Sequence, residues 1–163
     1  MADVASPTPD TFDQVLDAAR SQRRTIVLTN GCFDVMHAGH AAVLRAAAAH
    51  GDFLAVGVND DAGVRALKGP ERPLAPLADR LALVAALRWV DAITVLEEST
   101  ADALIRRVRP HVYVKGADYD ASAGGRELPE AATLRALDVR VVYVPLLGGR
   151  STSRLVERLR QES

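Results

Sequence analysis

The chain has 163 residues, of which 48% are hydrophobic and 25% are charged, and its formal net charge is −1. These values are typical of one globular domain with a substantial core. The near-neutral charge and the lack of a membrane-length apolar run mean that we expect neither nucleic acid nor a membrane as a partner. The single cysteine, Cys32, excludes an internal disulfide bond, and we interpret it as a small buried residue rather than a nucleophile.

The first ten residues differ in character from the rest of the chain. They contain Pro7, Pro9 and two acidic residues, and they lack the basic start and apolar stretch of a signal peptide. We therefore predict a disordered lead over residues 1–10, a single domain over residues 11–163 and a cytoplasmic location.

Predicted strands and helices alternate along the chain. Five apolar runs predict buried strands, at residues 25–29, 53–58, 92–96, 111–114 and 139–144. Periodicity, caps and stops predict helices at residues 11–20, 41 to about 51, 77–89, 99–108, 127–137 and 151–160. Ser99 or Thr100 is the expected cap of the helix that reaches Val108. Three prolines exclude a continuous helix over 64–78, and we predict loops there and at 120–125 and 145–150.

Continuous apolar strands that alternate with helices predict an α/β fold. We expect a Rossmann-like, doubly wound, five-stranded parallel sheet with helices on both faces. In such sheets ligands bind outside the carboxyl ends of the strands. Polar clusters follow four of the predicted strands, at residues 31–40, 59–60, 115–119 and 148–153. The sequence therefore predicts a ligand site at this edge of the sheet.

The stretch at residues 31–40, Gly-Cys-Phe-Asp-Val-Met-His-Ala-Gly-His, lies between the first strand and the next helix. Unpaired N–H groups and the helix dipole attract phosphate to such a position. Gly39 lets the backbone approach a bound group closely. His37 and His40 can donate hydrogen bonds to a phosphate and stabilise the charge that develops when phosphorus is attacked. Ordinary loop histidines are the alternative, but spacing, glycine and context together favour phosphoryl chemistry.

His37-Ala38-Gly39-His40, behind Gly31-x-Phe33-Asp34, resembles the HxGH signature of the nucleotidylyltransferase superfamily, which is cytidylyltransferase-like. The similarity covers about residues 12–159. It resembles in particular the D-glycero-D-manno-heptose 1-phosphate adenylyltransferase domain of bifunctional heptose-phosphate enzymes. This closer similarity is carried by residues 29–34, 58–60, 67–74, 76–77, 80, 90–91, 97–100, 109–110 and 114–119. The chain departs from that group at Ala75 and Ala117, where Asn and Gly are usual.

The resemblance implies a role for each matching residue. The catalytic residues would be His37, His40 and Lys68. The nucleotide would be bound by Asn30, Gly31, Cys32, Phe33, Gly39, Lys115, Gly116, Asp118, Tyr119 and the helix-capping hydroxyl residues Ser151, Thr152 and Ser153. The acceptor substrate would be bound by Asp34, Asn59, Arg72 and Arg80.

The resemblance also implies a reaction. A nucleoside triphosphate, with ATP favoured, and a sugar 1-phosphate, with D-glycero-D-manno-heptose 1-phosphate favoured, would give ADP-heptose and pyrophosphate. Mg²⁺ would be carried by the triphosphate, since we expect no protein metal site, and the enzyme would be a homodimer. One alternative is a cytidylyltransferase that acts on glycerol 3-phosphate or another polyol phosphate. The other is a non-catalytic nucleotide-binding paralogue.

Overall fold

The structure is a computed structural model that describes residues 9–145. Within that range the helices are α1 Pro9–Ser21, α2 Ala38–Ala48, α3 Asp61–Lys68, α4 Leu77–Ala85, α5 Asp102–Val108 and α6 Ala131–Ala136. The strands are β1 Ile26–Gly31, β2 Phe53–Asn59, β3 Ala92–Leu96, β4 Val112–Gly116 and β5 Arg140–Val144. Two short 3₁₀ helices follow β4, at Ala117–Tyr119 and Ala121–Ala123.

The five strands form one parallel sheet in the order β3-β2-β1-β4-β5. The chain proceeds outward from β1 to β3 and then returns to place β4 on the other side of β1. The strand order therefore reverses between β1 and β4, and the crevice at that reversal is where sheets of this kind bind ligands. The predicted α/β fold with a five-stranded parallel sheet is confirmed.

Each face of the sheet carries its own hydrophobic core. On one face α1, α5 and α6 cover the sheet, with Leu16, Ile105 and Leu134 packed against β1 and β4. On the other face α2 and α4 contribute Leu44 and Val84. Because side chains alternate between two buried faces, the strands must be apolar at nearly every position. This explains the continuous apolar runs in the sequence.

The predicted loop over residues 64–78 is wrong in its first part, because α3 extends to Lys68. The side chain of Asp60 caps this helix, and its Oδ1 accepts a hydrogen bond from the N–H of Gly63 at 2.6 Å. Gly69 ends the helix with a φ of 101°, a conformation that favours glycine. The three prolines all lie beyond this point, so they end the helix rather than prevent it.

The predicted cap of α5 is also wrong. The helix begins at Asp102, and Thr100 Oγ1 donates a hydrogen bond to the Asp102 carboxylate at 2.7 Å. The N–H of Ala101 is bound instead by Glu130 Oε1, at 2.9 Å. Glu130, at the start of α6, thus caps α5, and no local sequence pattern predicts this contact.

Several predicted boundaries shift. Helix α4 ends at Ala85 and α6 is shorter than predicted at both ends. Helix α1 begins at Pro9, so residues 9 and 10 are helical and do not belong to a disordered lead. Residues 1–8, the loop at 146–150 and the predicted helix at 151–160 lie outside the described residues. From residue 9 to residue 145, no helix has both the length and the apolar character needed to cross a membrane.

Candidate active site

A cavity of about 360 Å³ opens at the carboxyl ends of β1, β2 and β4. Its volume is in the range of small-molecule sites. It brings together most of the residues that the sequence predicts for the site, which are Asn30, Gly31, Cys32, Phe33, His37, Gly39, His40, Asn59, Lys68, Lys115, Gly116, Asp118 and Tyr119. The polar clusters after β1, β2 and β4 therefore meet in one place.

The two histidines begin helix α2 and cap each other's backbone. His37 Nδ1 accepts a hydrogen bond from the N–H of Gly39 at 3.0 Å, and His40 Nδ1 accepts one from the N–H of His37 at 3.3 Å. This is a capping box in which imidazoles replace the usual hydroxyl and carboxylate. The three-residue spacing of the motif is the spacing that a capping box requires. Since Nδ1 of each ring accepts, the hydrogen of each neutral ring is on Nε2.

His40 is neutral at physiological pH. Burial, followed by the nearby charges of His37 and Lys68, lowers the pKa of His40 to about 4. Its ring lies 4.1 Å from the ring of His37, between centroids, and 5.7 Å from that of Phe33. A neutral ring in this position is a hydrogen-bond donor through Nε2, and an approaching phosphate would favour its protonated form.

The turn that delivers the histidines is held in an unusual backbone conformation. Phe33 and Val35 have φ values of 51° and 48°. The left-handed region costs a residue other than glycine about 1–2 kcal/mol. The Phe33 side chain is buried in the core beneath α2, and burial of a Phe contributes about 1.5–3 kcal/mol. Core packing therefore offsets the strain and fixes α2 against the end of β1.

Asp34 and Arg72, which the sequence analysis assigns to the acceptor substrate, are not among the residues that line the cavity. The Asp34 carboxylate is buried and accepts hydrogen bonds from Arg72 Nη1 at 2.6 Å and from the N–H groups of Leu74 and Ala75 at 2.9 and 3.1 Å. Burial alone would raise the pKa of Asp34, but these three hydrogen bonds outweigh it and lower that pKa. The pair joins the histidine turn to the chain before α4.

Arg80 also has a different place from the one expected. Its side chain is fully buried outside the cavity. Nε donates to the carbonyl of Ala75 at 3.1 Å, and Nη1 donates to the carbonyls of Cys32 and Asn59 at 2.6 and 2.7 Å. Nη2 is ion-paired with Asp61 at 2.6 Å. Arg80 therefore holds the ends of β1 and β2 together, and it is not among the residues that line the cavity.

Lys115 lines the cavity at the end of β4. It is 8% exposed, and its Nζ lies 4.9 Å and 5.7 Å from the ring centroids of Tyr119 and Tyr113. Burial lowers the pKa of Lys115. Among residues 9–145 its ammonium has these ring contacts but no hydrogen-bond acceptor. A buried cation with spare donors is suited to an electron-rich ligand.

Polar contacts around Lys115 order the rest of this end. The hydroxyl of Tyr113 donates to Asn30 Oδ1 at 2.6 Å, which leaves the amide N–H₂ of Asn30 as the available donor. Asp118 is ion-paired with Arg126 at 2.8 Å, and the Arg126 guanidinium lies 4.4 Å from the ring centroid of Tyr119. Burial raises the pKa of Tyr119, so its hydroxyl stays protonated.

Some lining residues were missed by the sequence analysis, and Ser99 and Glu130 are the most informative. Ser99 follows β3, so the same strand-end argument would have found it. Glu130 is 3% exposed, and one of its carboxylate oxygens, Oε2, has no hydrogen-bond partner among residues 9–145. No local pattern marks it, because its position depends on the packing of α6 against α5.

Cys32 lines the cavity and is half-buried, and burial raises the pKa of its thiol. It is therefore not an activated nucleophile. The predicted phosphate-binding residues Ser151, Thr152 and Ser153 lie outside the described residues. Over residues 9–145, no cluster of three or more His, Cys, Asp or Glu side chains is arranged to hold a metal ion.

Known proteins with similar sequences and structures support this picture. The bifunctional protein HldE of Streptomyces coelicolor is 46% identical over 152 residues, which are 92% of this chain and 32% of that protein. The bifunctional protein HldE of Gluconacetobacter diazotrophicus is 42% identical over 164 residues, covering 98% of this chain and 33% of that protein. The chain thus spans about a third of the length of these curated relatives.

A solved structure shows the same fold. It is the lipopolysaccharide core biosynthesis protein from Thermoplasma volcanium, which superposes with a TM-score of 0.60 at 26% identity over 76% of this chain and 97% of that one. The family model described as cytidylyltransferase-like matches residues 28–158, which include both histidines and the whole sheet from β1's third residue onward. The chain therefore belongs to the cytidylyltransferase-like family of nucleotidyltransferases, as the HxGH resemblance predicts.

Proposed function

We propose that the protein transfers a nucleotidyl group from ATP to D-glycero-D-manno-heptose 1-phosphate, giving ADP-heptose and pyrophosphate. The observation that carries the reaction type is the pair of imidazoles fixed at the start of α2, at one end of the cavity. The heptose and ATP preferences are supported by the sequence resemblance, by the HldE relatives and by the lipopolysaccharide-related structural neighbour.

The chemistry follows from the position of the two rings. An oxygen of the sugar phosphate attacks the α-phosphorus in line, and pyrophosphate leaves from the opposite side. This nucleophile is already ionised at neutral pH, so no general base is needed. Nε2–H of His37 and of His40 donate to the α-phosphate oxygens as negative charge increases on them. Donors fixed before the reaction stabilise the transition state without reorganisation.

Lys68 provides the mobile positive charge. It is the last residue of α3 and its exposed side chain lines the cavity before the Gly69 turn. A flexible ammonium at this point reaches the phosphates when the nucleotide is bound and offsets their charge. Mg²⁺ enters as part of the nucleotide substrate, since the Asp34 carboxylate near the histidines is already bound by Arg72 and two backbone N–H groups.

The remaining lining residues divide between the two substrates. On the nucleotide side we place Asn30, Lys115, Gly116, Asp118 and Tyr119, which meet near β1 and β4. On the acceptor side we place Asn59, which ends β2 and lines the cavity. The hydroxyls of residues 151–153 would hold the outer phosphates. A homodimer and a cytoplasmic location stay predictions.

The test is pyrophosphate release by the purified protein with ATP, CTP, GTP or UTP, each with heptose 1-phosphate or glycerol 3-phosphate. We expect release with ATP and heptose 1-phosphate. Release only with CTP and glycerol 3-phosphate would instead establish the polyol-phosphate cytidylyltransferase. Binding of nucleotide without release in any pair would favour a non-catalytic paralogue.

A matched pair of variants tests the role of the imidazoles. His37→Asn keeps a good N-cap residue but removes the imidazole N–H, so we expect kcat to fall about 100- to 1,000-fold while the melting temperature changes little. His50→Asn makes the same substitution at the end of α2, outside the cavity. An equal loss of activity in both variants would show that the effect is structural.

A further inference from the structure

Two buried charges of opposite sign lie at the β4 end of the cavity without hydrogen bonds to each other. They are the ammonium of Lys115 and Oε2 of Glu130, which both line the cavity. Lys115 is 8% exposed and Glu130 is 3% exposed. Over residues 9–145, the ammonium of Lys115 lies over two tyrosine rings without a hydrogen-bond acceptor, and Glu130 Oε2 has no hydrogen-bond partner. The opposite charges of the two groups attract each other, but they do not form an ion pair. Each group therefore has hydrogen-bonding capacity that the described protein does not use.

The carboxylate of Glu130 cannot rotate freely to find another partner. Its Oε1 accepts the N–H of Ala101 at 2.9 Å, at the start of α5, and that contact fixes the plane of the group. Leaving a buried carboxylate oxygen unpaired costs the free protein stability. A ligand that donates a hydrogen bond to Oε2 recovers that cost on binding.

The charge of Glu130 also decides which part of a nucleotide lies beside it. The phosphates are attracted to the other end, where the histidines, Lys68 and the start of α2 lie. A carboxylate repels phosphate, so the base end of the nucleotide faces Glu130. Pro129 and Tyr119, whose rings are suited to pack against a planar base, also line the cavity.

A donor beside an acceptor complements the amino edge of adenine and of cytosine. Adenine presents the N1 acceptor next to the 6-amino donor, and cytosine presents the N3 acceptor next to the 4-amino donor. Bound in the same orientation, the corresponding oxo bases present these groups in the reverse order, so the oxo oxygen places a second lone pair against Oε2 and the ring N–H meets the Lys115 donor. Such a mismatch of a buried polar group is a strong source of discrimination.

We propose that Glu130 is a specificity-determining residue that accepts a hydrogen bond from the amino group of the nucleobase while Lys115 donates to the adjacent ring nitrogen. This inference rests on the proposed nucleotidyl transfer and deepens it. It predicts that ATP and CTP bind better than their oxo counterparts ITP and UTP.

The decisive variant is Glu130→Gln. The N–H of Ala101 requires an acceptor, so the amide oxygen of the new glutamine occupies the position of Oε1 and its N–H₂ occupies that of Oε2. The group that faces the base thus changes from an acceptor to a donor with little change in shape. Glu127→Gln is the matched control, because Glu127 is exposed, lies outside the cavity and loses the same charge.

Binding of the magnesium nucleotides is measured by calorimetry without the acceptor substrate. We expect the native protein to bind ATP at least about tenfold more tightly than ITP, or CTP more tightly than UTP by the same factor. Glu130→Gln should remove or invert that ratio, and Glu127→Gln should leave it unchanged. The melting temperature of each variant is recorded beside it.

Three results would overturn the proposal. One is a native protein that does not distinguish amino from oxo bases, which is decisive even if Glu130→Gln fails to fold. Another is a native ratio that Glu130→Gln leaves intact. The third is a Glu130→Gln penalty on ATP that disappears with 3′-deoxy-ATP, which would assign Glu130 to the ribose. In these cases nucleotidyl transfer itself still stands, whereas failure of every nucleotide to bind would remove both.

Discussion

Two sets of buried charges in this small domain differ in how completely they are partnered. Arg80 is fully buried and donates to three backbone carbonyls and to Asp61. Lys115 and Glu130 are almost as deeply buried, yet each keeps unused hydrogen-bonding capacity toward the cavity. A buried charge with hydrogen-bond partners supports the fold. A buried charge that lacks them lowers the stability of the free protein, and a ligand that supplies the missing partner gains binding free energy. The number of hydrogen-bond partners, rather than the depth of burial, distinguishes a charged residue that holds the fold together from one that belongs to the binding site.

The largest effect is expected at Arg80. Arg80→Met should lower the free energy of unfolding by about 2–4 kcal/mol, because Asp61 and the carbonyls at the ends of β1 and β2 lose their buried donor. Urea denaturation measures this. Nucleotide affinity in the folded fraction should fall less than stability does.

Arg126→Met is the control for that experiment. Arg126 forms an ion pair with Asp118 in which the two side chains are 68% and 42% exposed, and exposed pairs contribute at most about 1 kcal/mol. Equal losses of stability for Arg80→Met and Arg126→Met would contradict the framework role of Arg80.

His40 is buried as a neutral ring, so its effect on the free energy of unfolding should depend on pH. The pKa of His40 is lowered to about 4 in the native protein, from 6.5. Between these values the unfolded chain binds a proton that the native protein resists. Titration of His40 should therefore leave the free energy of unfolding unchanged above pH 6.5 and lower it by up to about 3 kcal/mol as the pH drops toward 4.

An NMR titration of the histidine ring resonances measures this pKa directly. The His40→Gln variant should lose less stability over the same pH range. The carboxylates of the protein still titrate in this variant, but the imidazole has been removed. Adding magnesium nucleotide should raise the pKa, because phosphate favours the protonated ring. A native His40 that titrates near 6.5 would show that the ring is not desolvated.

The smallest change in stability is expected at Lys115, whose buried ammonium has no hydrogen-bond acceptor among residues 9–145. Lys115→Met should alter the free energy of unfolding by less than about 1 kcal/mol, because loss of the tyrosine contacts is offset by removal of a poorly solvated charge. Nucleotide affinity should nevertheless fall at least about tenfold. Calorimetry and urea denaturation on the same preparation give both numbers. A large loss of stability with unchanged affinity would place Lys115 with Arg80 in the framework.

The fold and the histidine end of the cavity were predictable because their information is local. Apolar runs specify strands that are buried on both faces, and the two histidines with their glycine between a strand and a helix mark the site. Each of these patterns needs only neighbouring residues. That the polar clusters meet in one place then follows from the geometry of a parallel sheet, in which all strands end at the same edge. The capping by His37 was not predicted, and α2 begins at Ala38 rather than at residue 41.

The roles of Arg72, Arg80 and Glu130 were not predictable in the same way. Arg80 and Glu130 bind backbone groups, and a backbone carbonyl or N–H has no signature in the sequence. A charged residue near a phosphate site therefore gives the same pattern whether its partner is a ligand or the main chain. The difference at α3 has a simpler cause, since the prolines at positions 70, 73 and 76 restrict only the residues next to them and leave residues 61–68 able to form a helix.

Arg80 also affects how freely this enzyme can change its substrates. Its three carbonyl partners belong to the main chain, and every amino acid supplies a carbonyl at those positions. Side chains around the cavity can therefore be replaced during evolution without weakening the hold between β1 and β2. With the roles proposed above for Glu130 and Asn59, a change of base or of acceptor then requires only a few substitutions at lining positions. One buried arginine thus keeps the histidine turn in place while the residues that line the cavity vary.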